Sequence, residues 1–88
     1  MKREDVYKAF DSERAYQDEM SQRSDRPDMI EDMHMGDILS AIQYNLTLAN
    51  GWWYQEATPY PKTTDILRKI GALCTKAGET YGMKGRNS

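Results

Sequence analysis

Tyr60, Lys62, Thr63 and Thr64 fall within five residues of one another, and Arg68 follows four residues later. A phenol, an ammonium and two hydroxyls ahead of a helix, with a guanidinium one turn in, are the groups that hold a phosphate. If a helix opens within Ala57-Thr58-Pro59-Tyr60-Pro61-Lys62-Thr63-Thr64-Asp65, its first amides lack intrahelical partners and its dipole favours an anion. Tyr60 would then stack on a base, while Lys62 and Arg68 neutralise charge. Arg14, Tyr16 and Gln17 near the N-terminus form a second polar set. The plainer alternative is that a threonine cap needs no ligand. Trp52, Trp53 and Tyr54, beside the same bend, read first as core or subunit interface and second as stacking surfaces.

Other chemistries find less to work with. The chain has one histidine, His34, and one cysteine, Cys74. Glu31 and His34 are spaced i, i+3 as in carboxylate-bridged di-iron helices, but one copy leaves such a site incomplete unless an oligomer supplies another. Neither a metal nor a cofactor is expected. Cys74 falls in an apolar stripe, which predicts a reduced, partly buried thiol in the core rather than a nucleophile. Neither G-x-G-x-x-G nor G-x-x-x-x-G-K-[ST] occurs.

Three helices must position these groups. The first spans about residues 3–20, with Glu4 and Asp5 at the positive end of its dipole and no Gly or Pro inside. Val6 and Phe10 begin an apolar face that continues through Glu13 and Gln17 to Met20. Either the second half of this helix projects past a short core into water, or Glu13 and Gln17, with Arg14 and Tyr16, line a polar pocket. After the polar connection Ser21–Asp28, the second helix runs over about 37–55, with residues 29–35 either its start or a separate turn. Met35, Ile38, Leu39, Ile42, Leu46, Ala49 and Trp53 form one stripe, and Ala41, Leu48 and Trp52 widen it. Such breadth predicts the central helix, covered on more than one side. The third helix covers about 64–81, with Ile66, Leu67, Ile70, Leu73, Cys74, Ala77 and Tyr81 repeating at three and four and Gly82 as its cap. Gly71, Thr75 and Gly78 leave one of its faces almost without bulk, at about 0.8–1 kcal/mol per interior glycine. A close neighbour is implied there, a helix first and a ligand second. Residues 84–88 form a basic tail. The expected fold is all-α: three helices in one domain, with helices 2 and 3 an antiparallel hairpin and helix 1 packed across.

Eighty-eight residues bury only about 60–65% of the unfolded surface, so a homo-oligomer is expected. Residues 1–37 hold 6 Lys/Arg against 11 Asp/Glu and residues 38–88 hold 6 against 3. Opposite signs favour packing of the first helix on the hairpin. The net charge of −2 argues against duplex DNA as ligand. The uncharged stretch Ile38–Gln55 is too polar to span a bilayer, and the charged N-terminus predicts no signal peptide.

Glu13-Arg14-Ala15-Tyr16-Gln17-Asp18, Arg68-Lys69-Ile70-Gly71-Ala72-Leu73-Cys74 and Gly78-Glu79-Thr80-Tyr81-Gly82 resemble a group of small all-helical accessory proteins of tailed bacteriophages. That resemblance implies action in the host bacterial cytoplasm, often against a host system. The architecture also resembles phage sponge proteins that defeat cyclic-oligonucleotide (CBASS or Thoeris) signalling, symmetric oligomers that hold nucleotides with Tyr, Lys, Arg and Thr. MazG-type pyrophosphohydrolases are similar in size and helicity, but they hold Mg²⁺ with an E-x-x-E and an E-x-x-D on adjacent helices. Here the last helix offers only Asp65 and Glu79, fourteen residues apart.

The leading expectation is therefore a non-enzymatic sponge for a small nucleotide-like anion, with Tyr60, Lys62, Thr63, Thr64, Arg68, Arg14, Tyr16 and Gln17 as ligand contacts. Trp52, Trp53, Gly71, Thr75 and Gly78 are the expected interface residues. The alternatives are an inhibitor that binds a host protein, and a MazG-like hydrolase.

Overall fold

The computed structural model describes residues 1–23 and 34–87, with the backbone alone for 21–23. Expectations for residues 24–33, including most of the polar connection, Glu31 and residues 29–33 of the second helix, lie outside the described residues. Three helices follow: α1 (Arg3–Arg23), α2 (Met35–Gln55) and α3 (Pro61–Tyr81). The described residues contain no strand, and no helix among them is long and apolar enough to cross a membrane.

Each helix end follows from local chemistry. Asp5 in the first turn of α1 accepts the Lys2 amide at 3.2 Å. His34 is extended (ψ 165°), so α2 opens at Met35, and the Asp37 carboxylate takes the His34 amide at 3.1 Å. The last turn of α2 closes with the Glu56 amide on the Trp52 carbonyl, 2.9 Å. A four-residue turn follows, closed by the Tyr60 amide on Ala57 O at 3.0 Å and containing a cis Thr58–Pro59 bond. Gly82, at φ 87°, ends α3 in a conformation closed to side-chain-bearing residues.

α2 and α3 form the hairpin and α1 packs on α3. The expectation that α2 is central is corrected: α1 contacts α3 and not α2, so α3 is the helix covered on two sides. Its Ile66, Ala72 and Leu73 are buried with Ile38 and Ala49 of α2, and these five are the buried apolar residues of the described chain. Ala41 and Ile42 are half-buried, and the rest of the broad α2 stripe, including Leu39, Leu46 and Trp53, is exposed.

α1 contacts α3 through polar groups as well as apolar ones. Glu13 and Arg14 are buried, at 9% and 6% exposure. Glu13 and Arg14 therefore sit against α3 and not in water, while Glu19 and Met20 beyond them are exposed. The middle of α1 packs there because each buried charge finds an opposite one on α3: Arg68 Nε meets Glu13 Oε1 at 2.8 Å, and Arg14 Nε meets Glu79 Oε1 at 2.9 Å. Between these pairs Phe10 lies over Gly71. A Cβ built on Gly71 would stand 2.5–2.6 Å from three atoms of that ring, so the close neighbour implied by this glycine is α1 of the same chain.

Candidate functional site

The corner between α2 and α3 gathers four of the expected ligand contacts, and it is already filled. α3 opens earlier than the threonines suggest, with Tyr60 as N-cap in the left-handed region (φ 57°) and Pro61 at the first helical position. Pro61 has no amide to offer. The next two amides, of Lys62 and Thr63, donate to Glu56 Oε1 and Oε2 at 2.7 and 3.0 Å, and the Thr63 hydroxyl donates to Oε2 at 2.7 Å. The Thr64 amide reaches Tyr60 O at 2.9 Å, and the Thr64 hydroxyl lies 3.0 Å from Tyr60 O and 3.1 Å from Pro61 O. Every amide in the first turn thus has a partner, and the anion at this helix terminus is the chain's own Glu56. Burial pushes the Glu56 carboxyl up, but the hydrogen bonds from Thr63 and Lys62 and the Lys62 charge outweigh it, so the group titrates below its ordinary 4.5. Lys62 itself folds back, its Nζ 3.8 Å from the centre of the Trp52 ring, a cation–π contact.

The remaining cations are engaged too. Arg68 pairs with Glu13 at 2.8 Å and with Asp65 at 2.9 Å. The Glu13 hydrogen bond, against an opposing desolvation and with help from Asp65, holds its guanidinium above the ordinary value. Arg14 spans Glu79 at 2.9 Å and Asp18 at 2.7 Å. The Lys62 ammonium lies over Trp52, Arg68 faces Glu13 and Asp65, and Arg14 faces Glu79 and Asp18. A phosphate would have to displace Glu56 from the first-turn amides, and a carboxylate from either arginine. Tyr60 is half-buried and Tyr16 exposed. Gln17 Oε1 is buried without a hydrogen-bond partner.

A concave feature of the described residues lies elsewhere. An open groove of about 850 Å³ runs along α3, lined by Phe10, Leu67, Ile70, Gly71, Cys74, Thr75, Gly78, Glu79 and Met83. Its walls are overwhelmingly apolar, and it contains none of the eight expected ligand contacts. The low-bulk face of α3 forms its floor. Thr75 turns its hydroxyl back to Gly71 O at 2.9 Å, leaving its methyl to the groove. A Cβ on Gly78 would meet only Met83, at 3.5 Å or more. Cys74 is exposed here, not in the core as its stripe suggested, because α1 covers only part of that side of α3.

Of the expected interface residues, Gly71, Thr75 and Gly78 share this groove. Trp52 and Trp53 do not: Trp52 carries Lys62, and Trp53 stands on α2, more than half exposed. Among the described residues no three His, Cys, Asp or Glu side chains come together as a metal site. Neither Glu56 nor the Phe10–Gly71 contact was visible as a functional signal, although a carboxylate just ahead of a Pro-flanked helix start is a cue for self-capping.

Compared with family models, curated proteins and solved structures, the chain matches none.

Proposed function

We propose that this protein is a non-enzymatic binding module that recognises an apolar helix of a partner protein through the α1/α3 groove. The observation that carries this reading is the contrast between the two places a ligand could go. The polar corner has spent its first-turn amides on Glu56 and Lys62 on Trp52, and Arg68 one turn in is held by Glu13 and Asp65, whereas the groove is apolar, open along one side and floored by Gly71, Thr75 and Gly78. A small molecule is best held in an enclosed cavity, while an open trough beside a low-bulk helix suits the i, i+3, i+4, i+7 side chains of an amphipathic helix. The resemblance to phage accessory proteins supplies a setting, the host bacterial cytoplasm, with a host protein as the partner and inhibition as the outcome.

Cys74 provides a reporter inside the groove. Helical peptides selected by display against the intact chain should slow alkylation of Cys74 by N-ethylmaleimide, and Gly78→Leu, which fills the floor, should abolish their binding while leaving the circular dichroism spectrum unchanged. Selected peptides that leave Cys74 reactivity unaltered and still bind the Gly78→Leu chain would refute the groove as the site.

A further inference from the structure

α2 carries one charged residue, Asp37, in twenty-one, within a chain that is 30% charged. Asp37 is occupied at the helix start with the His34 amide. On the side of α2 roughly opposite Asp37, Leu39, Leu46 and Trp53 recur every seven residues, about two helical turns, and are 58%, 48% and 55% exposed. Gln43 and Asn50, polar but neutral, edge this seam, and none of its residues lines the α1/α3 groove.

We propose that a second copy of the same chain covers this seam, the two α2 helices packing antiparallel about a two-fold axis at Leu46. The seam has the self-complementarity that an isologous contact demands, in which residue i meets j and j meets i. Leu39 and Trp53 are equidistant from Leu46 in sequence, so the axis sets Leu46 against its own copy and each small Leu39 against the partner's large Trp53. A face meeting itself across a two-fold axis brings like charges together, and this face has none. Among the described residues the core holds only five buried apolar side chains, while Leu39, Leu46 and Trp53 of the seam stay exposed, so apolar surface is left on α2 for a second copy to cover.

The test is sedimentation velocity on the full chain from micromolar to a few hundred micromolar. Wild type should sediment at twice the 10.2 kDa chain mass. Leu46→Glu sets two carboxylates face to face and should raise the dimer dissociation constant on the order of 100-fold or more; Leu46→Lys should do the same. Because Leu46 is half exposed, both variants should keep wild-type helix content by circular dichroism. Mixing them in equal amounts pairs Glu with Lys and should restore a dimer containing one of each. A wild-type monomer throughout the range would overturn the proposal, as would a Leu46→Glu chain that remains dimeric, or a mixture that stays monomeric. None of these results depends on what the groove binds.

Discussion

Gly71→Ala tests the packing that defines the groove. In an exposed helix interior, replacing glycine by alanine stabilises by about 0.8–1 kcal/mol. At Gly71 the new methyl would stand 2.5, 2.6 and 2.6 Å from Cε1, Cδ1 and Cζ of Phe10, against an ordinary carbon–carbon contact of about 3.5–4.0 Å. The ring must retreat by roughly 1 Å, and overpacking of this kind costs about 1–3 kcal/mol. Clash and propensity oppose each other, leaving a net destabilisation of about 1 kcal/mol. Gly51→Ala is the internal control, because nothing lies within 4 Å of its Cβ position and it should stabilise by about 0.5–1 kcal/mol. The two substitutions should therefore differ by about 2 kcal/mol, or roughly 8–16 °C in Tm for a domain of this size, measured by thermal unfolding at one fixed protein concentration. In a Phe10→Ala background the obstruction disappears and Gly71→Ala should become as stabilising as Gly51→Ala. If Gly71→Ala matches Gly51→Ala with Phe10 in place, α1 does not lie against α3 as described.

Arg68→Met strands Glu13 in a nearly buried position and should destabilise by about 1–3 kcal/mol, moderated because the Arg68 side chain is a third exposed. Arg68→Met with Glu13→Leu should recover most of that loss in chemical denaturation, an outcome that an arginine held in reserve for a ligand would not give. The folded pKa of Glu56 lies below its ordinary 4.5, so its contribution is present above that value and is lost as pH falls through the lower folded pKa. Glu56→Gln should therefore lower Tm at neutral pH and shrink the difference from wild type as acid protonates Glu56, which Tm measured from about pH 7 to pH 2.5 would reveal.

The helices were legible because their signals are local. The three-and-four spacing of Ile66, Ile70 and Leu73, and a glycine at position 82, need nothing beyond their own turn. The opposite charges of the two halves of the chain foreshadowed a contact such as Glu13–Arg68 between α1 and α3. Periodicity reports how much of a helix is apolar, not what covers it, so the breadth of α2 read as centrality when much of it is exposed seam. For the same reason Cys74 read as core although its position on α3 opens into the groove. The polar corner misled through distance along the chain. Thr63 and Thr64 resemble an open helix start, but the turn at Ala57–Tyr60 folds Glu56 back onto it across six and seven residues, beyond the reach of any capping pattern within the helix itself.

The claim beneath the whole reading is that this chain meets its ligands with apolar surface because the first-turn amides of α3, Lys62, Arg68 and Arg14 are already engaged internally. The direct measurement is a ¹⁵N–¹H correlation titration of the intact protein with cyclic dinucleotides and inorganic phosphate, following the amides of Lys62 and Thr63. Both resonances should stay in place up to millimolar ligand. Saturable shifts of those two amides at micromolar ligand, abolished by Lys62→Ala, would show that an outside anion displaces Glu56 and would contradict it.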